Sequence, residues 1–231
     1  MTHPGVSLDL DDSLQRRAEL DRLASNATDR SLLARSMKKG EATRRRIVAQ
    51  AAGLLNTQGY RSTPVSEIMR ITGLRKGGIY RHFDSRTELT LEAFQYGVAR
   101  MRDRFRRALE GRVTATDSLR ALLGVFREAS EEEVFHGGCP IMNLAIESDD
   151  ADPALRRAAR QAMTQLVGLF EGIIAQGTRS GEFPRGAAAA RAKVIVASVE
   201  GAVLLGNLYK DRAPMEAVLE HLDWYIRNGF R

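Results

Sequence analysis

Apolar residues along this chain recur at intervals of three and four residues almost throughout. The stretch Leu89–Leu109 is a clear example, with Leu91, Phe94, Val98 and Phe105 on one side. This spacing aligns side chains along one face of an α-helix. No segment sustains the strict alternation of apolar and polar residues that is typical of a half-buried strand. The pattern therefore predicts an all-α protein.

Start and stop signals divide the body of the chain into separate helices. Polar capping residues and prolines mark the starts, and glycines or polar residues mark the ends. After the helix that ends near Gly111, helices are predicted from Thr116 or Asp117 to about Phe135, from Cys139–Pro140 to Ser148, from Asp152–Pro153 to Gly181, after Gly186 through Leu208, and from Pro214 to Asn228–Gly229.

A shorter amphipathic run, PVSEIMRIT, precedes these helices. Thr63 is suited to cap a helix, Pro64 to its first position, and Glu67 adds negative charge to the first turn. Its apolar residues form one buried stripe. Gly73 supplies the left-handed residue that ends such a helix, so a turn and a second helix are expected to follow.

The second helix lies in GLRKGGIYRHF, Gly73–Phe83. Ile79 and Phe83 are four residues apart and share its inner face. The outer face carries basic and polar side chains, and its two glycines have no side chain at all. Two adjacent glycines each cost about 1 kcal/mol in a helix relative to alanine. Close approach of a partner to the backbone explains them better than a frayed turn does. The outer-face residues are Lys76, Gly77, Gly78, Tyr80, Arg81 and His82.

The basic charge of the chain is concentrated around this motif. Residues 37–110 hold 16 Lys and Arg against 7 Asp and Glu, an excess of +9, whereas residues 1–36 (5 against 6) and 111–231 (14 against 16) are slightly acidic. Such a segment attracts a polyanion. An anionic membrane is the alternative to DNA, but the segment lacks a long basic amphipathic face with aromatic anchors. Double-stranded DNA is therefore favoured and no membrane partner is expected.

Residues 41–89 resemble the DNA-binding domain of the TetR/AcrR transcriptional regulators. The resemblance rests on four segments in the family's order: LLNTQGY, STPVSEIMRITG, LRKGGIYRHF and DSRTEL. It implies that the third helix enters the major groove, with Lys76, Gly77 and Gly78 at its groove-facing start. It also implies that Tyr80, His82 and Arg86 contact phosphates.

Two residues depart from the family's pattern. Arg75 stands where a serine cap is usual, and Gly78 stands where threonine, serine or alanine is usual. The guanidinium of Arg75 is able to bind a guanine edge or a phosphate. The DNA-binding residues expected from motif and resemblance together are Thr63, Arg75, Lys76, Gly77, Gly78, Tyr80, Arg81, His82 and Arg86.

The resemblance also implies the organisation of the whole chain. Residues 1–36 form an N-terminal extension that is expected to be a mobile arm, with Met37 as an alternative start. Residues 37–88 form a three-helix helix-turn-helix domain, and residues 89–231 a helical domain for ligand binding and dimerisation. Its candidate pocket residues are Phe94, Phe126, Met142, Ile146, Met163, Leu166 and Phe170. Its candidate dimer residues are Val194, Ile195, Val199, Val203, Leu204, Val218, Leu219, Leu222 and Tyr225.

The function expected from these features is a dimeric DNA-binding transcriptional regulator. A repressor released from a palindromic operator by a small apolar or aromatic inducer fits best, because a twofold dimer matches an inverted repeat. The alternative is a helical small-molecule-binding protein without DNA binding. The sequence contains no phosphate-binding glycine loop, nucleophile elbow or HExxH motif. An enzyme, a cofactor and a metal are therefore not expected.

The only cysteine, Cys139, stands before Pro140 at a predicted helix start. A helix N-terminus stabilises a thiolate, so an oxidant or electrophile sensor is one interpretation. A small buried apolar residue is the other. A metal site that joins His136 and Cys139 with Glu132 or Glu133 has too few convincing ligands. A single cysteine, and the lack of any secretion signal or apolar run of about 20 residues, favour a cytoplasmic protein.

Overall fold

The computed structural model describes residues 39–128, 135–148 and 152–230. The chain divides into two units, residues 1–45 and 46–231, and the account below concerns the second. The predicted N-terminal extension, 1–36, lies outside the described residues. The described residues contain helices and no strand: α1 (39–58), α2 (Val65–Thr72), α3 (Lys76–Tyr80), α4 (Arg86–Leu109), α5 (Ala115–Glu128), α6 (Pro140–Glu147), α7 (Pro153–Arg179), α8 (Ala188–Tyr209) and α9 (Ala213–Arg227). The prediction of an all-α fold is confirmed.

Helices α2 and α3 form the predicted helix-turn-helix. Gly73 ends α2 in the left-handed conformation, with φ of 69°. Leu74 then packs partly buried in the corner between the two helices. Ile79 and Phe83 are both buried, as predicted. Helix α3 is shorter than predicted, because it ends at Tyr80, three residues before Phe83. The burial of these two side chains is what orients the outer face of α3 away from the core.

Helix α4 begins at Arg86. Its cap is Ser85, whose hydroxyl accepts a hydrogen bond from the Glu88 backbone N–H at 3.1 Å. The Glu88 carboxylate in turn accepts from the N–H of Asp84, the residue before this cap. Helix α4 therefore runs without interruption through the predicted domain boundary between residues 88 and 89, and that boundary remains a prediction.

Two helices of the body differ in how their starts are capped. Helix α7 is capped by Asp152, as predicted, through hydrogen bonds from the Ala154 and Leu155 N–H groups. Helix α5 is capped two or three residues earlier than predicted, because Thr114 accepts from the Asp117 N–H at 3.0 Å. The continuation of α5 toward Phe135 was predicted over residues 129–134, which lie outside the described part of the chain.

The core of the body is built on aromatic contacts between α4, α5 and α7. The Phe126 ring lies 5.5 Å from that of Phe105 and 6.5 Å from that of Phe170. Nearer to the helix-turn-helix, Tyr60 meets Phe94 edge to face at 6.2 Å. These contacts anchor α4 at both its ends. Across the described ranges, no helix is long and apolar enough to cross a membrane.

Candidate nucleic-acid interface and adjoining cavity

The outer face of α3 and the residues that flank this helix carry polar side chains that do not bind other groups of the described chain. Arg75, Lys76 and Arg81 are exposed, Tyr80 is 38% exposed and His82 is half-buried. Among the described residues, none of these five side chains has a hydrogen bond or an ion pair. Their polar groups are therefore left for solvent or for a partner.

The two glycines of α3 have no packing role that requires glycine. A Cβ at Gly77 would meet nothing within 4 Å, and one at Gly78 would lie 3.5 Å from the Leu74 Cβ, an ordinary contact. Neither glycine has the positive φ that would exclude other residues. The fold therefore does not require glycine at either position. Close approach of a partner to the backbone of α3 would require it.

Two residues predicted to contact DNA form hydrogen bonds within the protein. Thr63 is buried, and its hydroxyl donates to the Gly59 carbonyl at 2.6 Å rather than capping α2. The Nη2 of Arg86 donates to three carbonyls of the α1–α2 loop, those of Tyr60, Arg61 and Thr63 at 3.2, 2.7 and 2.6 Å. Arg86 thus positions the loop before α2. The hydrogen bonds of Thr63 and Arg86 have the same cause, because loop carbonyls left without helical partners require donors.

The same loop is held from its other side by α6. The Glu147 carboxylate accepts from the Tyr60 N–H at 3.0 Å and from the Arg61 N–H at 2.9 Å. In the structure, Glu147 joins the last turn of α6 to the helix-turn-helix.

A cluster of three asparagines joins α1, α6 and α8, and we call it the amide cluster. Asn56 donates to the Gly138 carbonyl at 2.9 Å. Asn143 donates to the side-chain oxygen of Asn56 and to the Gly137 carbonyl, both at 2.9 Å, and Asn207 donates to Gly137 at 3.2 Å. A Cβ at Gly137 would lie 1.9 Å from the Asn56 carbonyl oxygen. The backbones are therefore too close for any residue but glycine.

A cavity of about 350 Å³ lies on the other side of the segment 135–140. Its walls come from the second half of α4, the end of α5, this segment and the turn between α8 and α9. Apolar side chains make up most of its interior, and charged side chains border it. The residues that line it are Met101, Arg104, Phe105, Val125, Phe126, Arg127, Phe135, His136, Gly138, Cys139, Pro140, Ala202, Val203, Gly206, Asn207, Lys210, Asp211, Arg212, Met215 and Glu216.

Of the seven predicted pocket residues, the structure brings only Phe126 to this cavity. Phe94, Leu166 and Phe170 are buried in the core, and Met142 packs partly buried against it. Met163 lines a separate groove between α6, α7 and α8, and Ile146 is 64% exposed. Helical spacing identifies inward-facing positions, but it does not distinguish a side chain that packs from one that borders a void.

Cys139 is a buried wall residue of the cavity rather than an exposed thiol. Burial raises its pKa well above the usual value, and the neighbouring Glu200 carboxyl raises it further. The N–H groups of Met142 and Ile141 lower it, but they do not outweigh these effects. The burial of Cys139 therefore favours the interpretation as a small buried residue over that as a stabilised thiolate. Thiol sensing stays a prediction that this geometry does not support.

Glu200 on α8 is 3% exposed, and neither of its carboxyl oxygens has a hydrogen-bond partner in the described part of the chain. Burial raises its pKa. A carboxyl in such a position favours the neutral form. Within the described ranges, no group of three or more His, Cys, Asp and Glu residues is placed to hold a metal ion. Glu132 and Glu133 lie outside those ranges.

The residues that join the two parts of the molecule were missed at the sequence level. Asn56, Asn143 and Asn207 belong to three helices and share no sequence motif. The adjacent glycines of GGCPIMN were the one available signal, since such pairs mark close approach of backbones. This signal did not reveal that the backbone of Gly137 lies close to that of Asn56.

Two family models match most of the described chain. The model described as "Bacterial regulatory proteins, tetR family" matches residues 47–93, which hold the helix-turn-helix. The model described as "Tetracyclin repressor-like, C-terminal domain" matches residues 115–222, which hold most of the body.

Individual relatives agree with both models. A TetR transcriptional regulator from Chloroflexus aurantiacus, solved as a crystal structure, is 43% identical, covers 82% of this chain and 96% of its own, and superposes with a TM-score of 0.78. The uncharacterized HTH-type transcriptional regulator MT0206 of Mycobacterium tuberculosis is 28% identical over 78% of this chain and 91% of its own. The HTH-type transcriptional repressor DhaR of a Mycobacterium species is 25% identical over 76% of this chain and 88% of its own.

The fold, the helix-turn-helix and these matches define a DNA-binding transcriptional regulator. The chain belongs to the TetR family.

Proposed function

We propose that this regulator is a homodimeric repressor, released from an inverted-repeat operator by a small molecule that enters the cavity beside segment 135–140. The relative DhaR is named as a repressor, which supports the direction of regulation. The observation that carries the proposal is the outer face of α3. Its basic and polar side chains have no partner among the described residues, and its two glycines serve no packing purpose.

The division of labour on α3 follows from side-chain chemistry. Arg75 and Lys76 at the start of the helix present donors to base edges, as guanidinium and ammonium groups do toward guanine. Tyr80, Arg81 and His82 are suited to phosphates. Gly77 and Gly78 bring the backbone close to the groove. Arg86 and Thr63 take no direct part and instead hold the loop before α2.

Exposed apolar residues on α8 and α9 support the proposal of a dimer. Helix α8 is mostly apolar and has no single apolar face, which is typical of a helix that packs on more than one side. Ile195 and Val199, which had been assigned to the dimer seam, are buried in the core of one protomer, as are Leu219 and Leu222. The apolar side chains left exposed are Val194, Leu204, Leu205 and Leu208 on α8 with Tyr209 beside them, and Trp224 on α9. We propose that these residues meet a second copy of the chain.

The amide cluster and Glu147 provide the route from ligand to DNA. A ligand in the cavity contacts Gly138 and Cys139. The Gly138 carbonyl accepts a hydrogen bond from Asn56, and the preceding carbonyl, that of Gly137, accepts one from Asn143. Displacement of this segment moves the end of α1, and movement of α6 shifts Glu147 on the loop before α2. The ligand releases DNA only if it binds the DNA-incompetent arrangement more tightly.

Footprinting on the DNA that flanks the gene tests the proposal. The folded protein is expected to protect an inverted repeat, with an affinity that falls steeply as salt rises. Arg75→Ala is expected to reduce discrimination between operator and altered sequences by about 1–3 kcal/mol. The matched control is Arg160→Ala, which removes an exposed arginine from α7 and is expected to leave operator binding unchanged.

Folded protein that binds none of this DNA at low salt would reject the proposal and favour the alternative, a small-molecule-binding protein. Equal losses in Arg75→Ala and Arg160→Ala would reject the role of α3.

A further inference from the structure

We infer that Glu200 is a proton-dependent switch for segment 135–140. It keeps its proton while the segment lies against α8, the closed arrangement, and loses the proton to water when the segment moves away, the open arrangement. The inference rests on the proposed function, because it takes the closed arrangement as the one that binds DNA. It adds a second input to the regulator, since a rise in pH would favour the arrangement that releases DNA.

Segment 135–140 packs against the face of α8 that carries Glu200. A Cβ at Gly138 would meet the side-chain amide of Asn207 and would lie 3.1 Å from the Val203 Cγ1. Val203 is three residues after Glu200, and Asn207 is four residues after Val203, so the three side chains share one side of the helix. The segment therefore helps to exclude water from Glu200.

The burial of Glu200 is not compensated by a charged partner. Its side chain is 3% exposed, and no lysine, arginine or histidine of the described chain pairs with it. Burial raises its pKa, and the nearby Cys139 thiol, a weak hydrogen-bond donor, lowers it without outweighing burial. Burial also raises the pKa of Tyr60, which Cys139 and Glu147 raise further. None of these neighbours supplies a positive charge, so the closed arrangement favours the neutral carboxyl.

Movement of the segment would change the protonation of Glu200. In the open arrangement water reaches the carboxyl, and its pKa returns toward that of an exposed glutamate. Below that value the carboxyl is neutral in both arrangements, and pH does not change their balance. Above it, the open arrangement loses the proton first. Its population then rises by up to about tenfold for each pH unit, until the higher pKa of the closed arrangement is reached.

The same movement is connected to the helix-turn-helix through the amide cluster. Asn56 of α1 donates to the Gly138 carbonyl, and Asn143 of α6 donates to the Gly137 carbonyl. An open segment would break these bonds and leave the end of α1 without them. Because linkage is reciprocal, operator DNA that binds the closed arrangement would oppose ionisation of Glu200.

Hydrogen exchange in the full-length protein tests the inference, because it detects an open arrangement that few molecules adopt. In the closed segment the Gly138 N–H donates to the Phe135 carbonyl, and the Asn143 N–H donates to the Cys139 carbonyl. Exchange of these two amides is followed from pH 5.5 to 8 and corrected for intrinsic rates. We expect their protection to fall at least about fivefold over this range. The range ends below the ordinary pKa of a thiol, about 8.5, so that Cys139 does not contribute.

A pair of variants isolates Glu200. Glu200→Gln keeps the shape of the side chain but cannot ionise, so we expect the same protection at both ends of the range. Glu110→Gln is the matched control, because Glu110 is 62% exposed at the end of α4, and it is expected to keep the full pH dependence. All three proteins retain His136, the other titratable side chain of the segment besides Cys139, so its effect cancels in the comparison.

Operator DNA supplies a second measurement on the native protein. Bound operator is expected to raise the protection of both amides at pH 8. Protection that is independent of pH in the native protein would overturn the inference, and so would an equal fall in the Glu200→Gln variant. If that variant does not fold, the operator experiment decides, because unchanged protection with operator bound overturns the inference. A protein that binds its operator but shows no pH dependence rejects this inference alone, whereas one that binds no DNA rejects the proposed function.

Discussion

The outer face of α3 and the junction between α1, α6 and α8 use polar residues in opposite ways. On α3, Arg75, Lys76 and Tyr80 form no side-chain hydrogen bond within the described residues. At the junction, Asn143 donates to the Gly137 carbonyl, and Glu147 accepts from the Tyr60 N–H. The polar side chains of the first region are available to a partner, whereas those of the second hold parts of the protein together.

The difference teaches how the two regions should respond to substitution. Removing a side chain that has no internal partner leaves the folded state almost unchanged, and its effect appears in binding. Removing one that satisfies buried backbone groups leaves those groups unpaired, at a cost of about 1–3 kcal/mol each. Measurements of the free energy of unfolding and of DNA affinity in variants therefore distinguish the two regions.

The largest effect is expected for Gly137→Ala at the junction. Its Cβ would lie 1.9 Å from the Asn56 carbonyl oxygen, a backbone atom that has little freedom to move. We expect the free energy of unfolding in urea to fall by about 3 kcal/mol or more. Gly168→Ala in α7 is the control, because a Cβ there meets nothing within 4 Å. It should stabilise the helix by about 0.5–1 kcal/mol. Similar effects in the two variants would contradict the close packing of the junction.

A smaller effect is expected for Arg86→Ala, which distinguishes a positioning residue from a phosphate contact. Loss of the bonds to three loop carbonyls is expected to lower the free energy of unfolding by about 2 kcal/mol. Affinity for all DNA sequences should fall, because α2 and α3 lose their support. The slope of log affinity against log salt should nevertheless stay unchanged, whereas loss of a phosphate contact reduces it by about one unit. A reduced slope with unchanged stability would restore Arg86 to the DNA interface.

The smallest change in stability is expected for Gly77→Ala, and it has the opposite sign. Alanine favours the helix, so the free energy of unfolding should rise by about 0.5–1 kcal/mol. The added methyl group stands between α3 and the groove, so operator affinity should drop about tenfold, equivalent to about 1.4 kcal/mol. Gly124→Ala in α5, where a Cβ also meets nothing, should gain the stability and keep the affinity. A Gly77→Ala variant with undiminished operator affinity would contradict close approach at this position.

Local features of the fold were predictable because their causes lie within a few residues. Gly73 ends α2 through its own backbone conformation, and the Ser85 and Asp152 caps bind the next turn of their own helices. The inner position of Ile79 and Phe83 follows from helical spacing alone. The start of α5 was misplaced by a few residues because Thr114, Thr116 and Asp117 are all suitable caps, and local sequence does not choose among them.

The sequence by itself determined the helices, the outer face of α3 and the concentration of basic charge around it, since each depends on composition or on periodicity along one segment. The tertiary structure alone decided the hydrogen bonds of Arg86, the amide cluster and the position of the cavity. Asn56 and Gly138 are 82 residues apart along the chain. No periodicity within a helix specifies which backbone a side chain meets on another helix. That depends on how the helices pack, which is a property of the whole fold.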